Sequence, residues 1–304
     1  MIEKSFLLDL INNPQKITKL KFDDISRIIK AVKEIFEEEN LLLELNVSNK
    51  TDLVYIIGDI HGNLETLLEL VKIINKTNPE LVIFLGDIVD RGSKQLECLI
   101  IILALKILSP LKYYLLRGNH ETLEMNQYYG FFQDFILRFS NQNKFNEVIN
   151  LYNTLPICAL INKTILCLHG GIPQDYEILM KLKDQRCKNF DDVFTSNAQS
   201  IYQIMWNDPK SELEGFCDSF RGPGIKFFGN DVFEEFMKHN NLSYLIRAHE
   251  CFPEGYRWFF NKRLLSLFSS ANYRGGYFPN PASYAIIEND KIIPKLLEIK
   301  NLFV

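Results

Sequence analysis

Three apolar-rich runs, Leu53–Ile57, Leu81–Leu85 and Lys112–Leu116, each end directly in a glycine-containing segment of ligand-type residues. The segments read Gly58-Asp59-Ile60-His61-Gly62, Gly86-Asp87-Ile88-Val89-Asp90-Arg91-Gly92 and Arg117-Gly118-Asn119-His120-Glu121. Each run has strand length, and helix-spaced stretches separate them. Asn63 is placed to cap a helix over Leu64–Ile74, and Ser93 to cap a long apolar helix up to Leu108. Strands alternating with helices predict βαβ units and a parallel sheet. Functional groups in such a sheet gather beyond the carboxyl ends of the strands, which is where all three segments fall.

Two further segments repeat the theme, Leu168-His169-Gly170-Gly171 and Arg247-Ala248-His249-Glu250. Ile157–Ile161 and Thr164–Leu168 read as strands joined by an Asn162-Lys163 turn. More strands are expected at 244–246, 256–260, 264–268, 284–288 and 292–299. Residues 22–44 carry Ile25, Ile28, Ile29, Val32, Ile35 and Phe36 at helical spacing. Residues 172–222 show no clear period and read as irregular. With no repeat or linker, the expectation is one catalytic α/β domain over 1–304, residues 1–50 being a helical segment packed on it.

Composition narrows the partners. The net charge of −4 over 304 residues gives no sign of a nucleic-acid-binding surface. The most apolar stretch, Leu96–Leu108, falls short of the roughly 20 residues a membrane span needs and is broken by Lys106, so no membrane partner is expected. The six cysteines contain no C-x-x-C pair, and the start of the chain does not read as a secretory signal. Free thiols and a cytoplasmic location are the expectation. His239 lies on a polar helix end and is read as solvated.

Asp, His and Asn are donors suited to Mn, Fe or Zn. Asp59 and His61 share one tight loop and are assigned to one metal, with Gly58 and Gly62 leaving space beside the ion. The ordered set GDIHG, GDIVDRG, RGNHE, LHGG, RAHE and Ser269-Ser270-Ala271-Asn272-Tyr273 resembles the PPP family of serine/threonine protein phosphatases, within the calcineurin-like metallophosphoesterases. The resemblance spans about 41–299. It implies two mixed β-sheets in a sandwich flanked by helices, and two divalent metal ions, with Mn expected on isolation and Fe/Zn as the other pairing. It implies that Asp87 bridges the ions and that Asn119, His169 and His249 complete the second site. A hydroxide held between the metals would then hydrolyse phosphoserine or phosphothreonine directly, with no phosphoenzyme. Arg91 and Arg221 match arginines that hold phosphate. His120 matches a general acid for the departing alkoxide, with Asp90 orienting it. Tyr273 matches a tyrosine over the pocket, and Asp208 an acidic residue at its rim. Arg117 and Arg247, at strand ends, are read as structural ion-pair partners.

The expected partners are phosphoproteins, with regulatory subunits as a further class. Arg274 stands where many eukaryotic members have a cysteine, adding positive charge near the pocket, and Gly275–Asn280 is unlike the acidic loop of protein phosphatases 1 and 2A. Two other readings compete. One is a metallophosphoesterase for a small phosphate ester or dinucleoside polyphosphate, which the Ser269–Tyr273 and Arg221-Gly222-Pro223-Gly224 segments argue against. The other is an inactive binding scaffold, whose expected mark, a lost ligand, is missing.

Overall fold

The structure is a computed structural model that describes residues 2–49, 51–275 and 279–299. Its strands, in chain order, are β1 Leu42–Leu45, β2 Val54–Ile57, β3 Leu81–Phe84, β4 Tyr113–Leu115, β5 Cys158–Ile161, β6 Ile165–Leu168 and β7 Asp208–Pro209. They continue with β8 Phe216–Asp218, β9 Lys226–Phe228, β10 Tyr244–Arg247, β11 Tyr256–Phe259, β12 Leu264–Leu267, β13 Ser283–Glu288 and β14 Lys291–Leu296.

One mixed sheet has the order β14-β13-β2-β3-β4, and the other β1-β5-β6-β10-β12-β11. β2, β3 and β4 are parallel, as the alternating pattern predicts, and helices Leu64–Thr77 and Gln95–Leu108 make the crossovers. In the second sheet β10 lies parallel to β6 and β12.

Alternation along the strands builds three apolar layers. Val54, Ile56, Leu81 and Ile83 face Ala159, Ile161, Cys167, Ile246 and Leu265 between the sheets. The alternate residues Tyr55, Ile57, Val82 and Phe84 pack outward on the N-terminal and crossover helices. Leu166, Leu168, Leu245 and Leu264 pack outward on helices Ile178–Lys183, Phe190–Trp206 and Asn230–His239. This is an α/β sandwich of two mixed sheets with helices outside.

Asn63 caps its helix as expected, accepting from the Thr66 amide at 3.1 Å. Ser93 does not cap; Lys94 holds that position, with no side-chain cap bond. The 22–44 stretch is helical only over Phe22–Glu37, and Leu42–Leu45 forms β1 against β5. Residues 172–222 are more regular than expected. They hold two α-helices and the strands β7 and β8, which join β9 in a three-stranded sheet of order β7-β9-β8. Of the divergent loop Gly275–Asn280, residues 276–278 lie outside the described residues.

Candidate active site

Loops from both sheets meet at one point. β2 leads to Asp59 and His61, β3 to Asp87, Asp90 and Arg91, and β4 to Asn119 and His120. From the other sheet, β6 leads to His169, β10 to His249 and β12 to Tyr273. His61, Asp87, Asp90, Arg91, His249 and Asn272 have φ of 47°, 53°, 69°, 73°, 70° and 52°. Non-glycine residues seldom adopt that left-handed region, and such strain gathers at functional loops. Gly86 and Gly118 let the second and third loops touch. A Cβ on Gly118 would lie 2.2 Å from Asp87 Oδ1, and one on Gly86 2.3 Å from the Gly118 nitrogen. Gly58 and Gly62 do not make room for an ion: their missing Cβ atoms clear Leu267 O and the Gln95 side chain, each at 2.9 Å.

The centre is Asp87. Its Oδ2 lies 3.6 Å from His61 Nε2, 3.3 Å from His169 Nε2 and 3.9 Å from His120 Nε2. Asp59 Oδ2 is 3.5 Å from His61 Nε2. His169 Nε2 is also 2.9 Å from Asn119 Oδ1 and 3.2 Å from His249 Nδ1. Carbonyls hold the far ring nitrogens: Val89 O against His61 Nδ1 at 2.9 Å, and Leu85 O against His169 Nδ1 at 3.0 Å. Each Nδ1 therefore carries a proton, and each Nε2 faces into the cluster.

The cluster is built for positive charge. Two buried atoms within it, Asp59 Oδ2 and His249 Nε2, have no hydrogen-bond partner. Buried polar atoms are seldom left so, and a cation would satisfy them. The sets His61–Asp87–His120 and Asp87–His169–His249 each bring ligand atoms within 4.8 Å of one another. Burial opposes protonation of His61, but the nearby carboxylates of Asp59 and Asp87 outweigh burial and push it up to about 9. Burial raises Asp87, but the neighbouring His169 and His120 hold it far below the usual carboxylate range. Burial, Arg221 and His169 together hold His249 well below its ordinary value, so it is neutral and a donor of lone pairs.

His120 stands at the edge of this set, its Nδ1 2.8 Å from Asp90 Oδ2. Asp90 is fully buried and also accepts from Asn126 Nδ2 at 2.9 Å and from the Phe131 amide at 3.1 Å. Arg91 is exposed and stacks over Tyr129, its guanidinium carbon 3.6 Å from the ring centroid. Tyr273 stacks on His61 with centroids 4.9 Å apart. Arg221 reaches the cleft with its Nε held by Asp208 Oδ2 at 2.5 Å.

Several placements differ from expectation. Asp208 is not at a rim. It is buried, and its other oxygen accepts from Arg247 Nη2 at 2.8 Å, so it braces Arg221 from below. Arg247 is the expected ion-pair residue, bound to Asp208 and Glu250. Arg117 is not: its guanidinium lies over Phe190 at 4.6 Å, and its Nη1 has no partner. Glu121 and Asn126 are positioning residues with no expected role. Glu121 accepts from the amides of Asp87, Ile88 and Gly118 at 2.8, 2.9 and 2.9 Å. Asn126 donates to Asp90 and to the His120 carbonyl, and accepts from Tyr152 OH at 3.1 Å. Both sit within or just after the third motif, which was their only sequence signal.

The cysteines carry no expected chemistry, yet Cys251-Phe252-Pro253-Glu254-Gly255-Tyr256-Arg257 has the Cys-x5-Arg spacing of thiolate phosphatases. Burial pushes the Cys251 thiol up to about 11, the opposite of nucleophile activation. Arg257 is bound to Glu254 and lies on Phe252, and the segment enters β11 rather than a helix N-terminus.

A two-sheet sandwich whose strand-end loops pool carboxylates, imidazoles and an asparagine defines a metal-dependent phosphoesterase. The calcineurin-like phosphoesterase family matches residues 53–253, and the chain belongs to that family. Members of it use a dinuclear metal centre. A protein serine/threonine phosphatase from Saccharomyces cerevisiae, described as similar to human phosphatase PP5, is 27% identical. The match covers 98% of this chain and 96% of that one, at a TM-score of 0.83. A cold-active protein-tyrosine phosphatase from a Shewanella species shares the fold at 17% identity, over 87% and 84% of the two chains, with a TM-score of 0.60.

Proposed function

We propose that this chain is a protein phosphatase that hydrolyses phosphoserine and phosphothreonine. Asp59, His61 and Asp87 would hold one divalent cation, and Asp87, Asn119, His169 and His249 the second. Mn suits these donors, as do Fe and Zn. Bound cations of this kind supply Lewis acidity and a nucleophile ionised at neutral pH.

The rest falls to the chain. Arg91 and Arg221 flank the cluster, and the Nη groups of Arg221 have no partner among the described residues, so a phosphate can take the fork. Asp208 fixes that fork through Nε. Tyr129 holds Arg91 in place, and Tyr273 covers His61. Asp90 fixes the tautomer of His120, which leaves Nε2 as the position from which a proton passes to the leaving oxygen.

The observation that carries the reading is the His120–Asp90 pair. A seryl or threonyl alkoxide is a poor leaving group and needs that proton, whereas a phenolate or a phosphate needs it less. Similarity to the yeast phosphatase over nearly the whole of both chains supports the same choice. The test is kcat/KM of the Mn-loaded protein on one peptide sequence phosphorylated at Ser, Thr or Tyr, with diadenosine tetraphosphate alongside. Turnover of the Ser and Thr peptides at least 10-fold above both others is the expected result. Preference for the dinucleotide or the Tyr peptide would overturn it.

A further inference from the structure

A cavity of about 520 Å³ opens beside His249 and Tyr273, and Arg221, Arg257 and Arg274 form part of its wall. Arg221 also lines the neighbouring cleft with Tyr129, so the cavity adjoins the place proposed for the scissile phosphate. The local carboxylates are already engaged. Asp208 lies between Arg221 and Arg247, Glu250 is 2.8 Å from Arg247 Nη1, and Glu254 is 2.6 Å from Arg257 Nε. Arg221, Arg247, Arg257 and Arg274 thus face three carboxylates, which leaves one positive charge in excess.

The excess resides on Arg274. Among the described residues it has no carboxylate partner, and its Nη2 donates to the Cys251 carbonyl at 3.0 Å. That bond pins the exposed guanidinium to the cavity wall and leaves its other donors unused. Arg257 is oriented too, its guanidinium carbon 4.2 Å from the Phe252 ring centroid and its Nε on Glu254, so its Nη groups remain available. Two pre-oriented planar forks on one wall suit carboxylate or phosphate oxygens.

We propose that this cavity is a specificity subsite for a second anionic group of the substrate, a carboxylate or phosphate on a residue flanking the scissile phosphoserine or phosphothreonine. The proposal rests on the phosphoprotein reading above. Because both arginines are exposed, each contributes modestly, about 1.4–5-fold in binding, and less at high salt.

Binding is best read as inhibition of p-nitrophenyl phosphate hydrolysis, which needs no turnover of the peptide. Three versions of one phosphoserine peptide would be compared: neutral flanks, Glu flanks and a second phosphoserine. Wild type should bind both anionic versions more tightly than the neutral one, by about 2–5-fold for Glu. The ratio should fall towards one in the Arg257→Gln/Arg274→Gln double variant and persist in Arg274→Lys, with p-nitrophenyl phosphate turnover unchanged in all. A gain for the second phosphate without one for Glu would assign the subsite to phosphate alone. A ratio of one in wild type, or the same ratio in the double variant, overturns the proposal. Peptides that compete through these arginines but are never hydrolysed would sink the phosphatase reading and leave the subsite standing.

Discussion

At the residue scale, the candidate site residues are held by groups that do not themselves face the reaction. Asn126 shows this most sharply, because one side-chain amide ties Asp90 to the His120 backbone while Tyr152 fixes its other end. If this amide sets the acid's position, Asn126→Ala should lower kcat by about 10–100-fold on a phosphoserine peptide and leave KM nearly unchanged. The effect should also vanish in a His120→Asn background, since residues acting as one unit are not additive. Independent, multiplying losses in the double variant would mean that Asn126 serves only stability. The ligand-type residues were legible in the sequence because each lies in a short motif immediately after a strand. Their supports were not, because roles such as that of Asp208, which braces an arginine 13 residues on and another 39 residues on, depend on folding.

At the element scale, helix Gln95–Leu108 is anchored by a buried ion pair that interrupts its apolar surface. Lys106 is 1% exposed, contacts Glu39 and donates to Pro110 O at 2.8 Å. Burial pushes Lys106 down and Glu39 up, so desolvation outweighs their attraction. Lys106→Met should cost about 3–5 kcal/mol by stranding the Glu39 carboxylate, and Glu39→Gln in the same chain should recover much of it. Urea unfolding of the two singles and the double gives the coupling; simple additivity would contradict the account. The lysine was visible as a break in an apolar run, but its partner, 67 residues away, was not. Missed elements have similar causes. β1 is four residues, Leu-Leu-Glu-Leu, beginning five residues past the end of a helix, and its strand character comes from pairing with β5. Helix Phe190–Trp206 carries polar Thr195, Ser196, Asn197, Gln199 and Ser200 in its middle and is broken at Asn197, with φ −132° and ψ 20°, so no steady period runs through it.

Over the whole molecule, two sheets that share one apolar interface bring loops far apart in sequence to one centre. His249 donates its amide to Asp59 at 2.9 Å across 190 residues. No helix among the described residues is long and apolar enough to cross a membrane. The sandwich was legible in part: βαβ periodicity predicts the parallel strands β2–β3–β4, while the facing sheet of mixed direction came only with the family resemblance. The small sheet of β7, β8 and β9, which carries Asp208 and the Arg221 loop, was hidden because its strands are two or three residues long.

The central claim is that this convergence makes a site in which His120 protonates a poor leaving group. The most direct test is the kcat of His120→Asn relative to wild type on two substrates, a phosphoserine peptide and p-nitrophenyl phosphate. Loss of a general acid predicts a fall of about 10²–10⁴-fold on the peptide and a much smaller one on the aryl ester, whose leaving group departs without a proton. Equal losses on both substrates would contradict the account and make His120 a ligand or a structural residue instead.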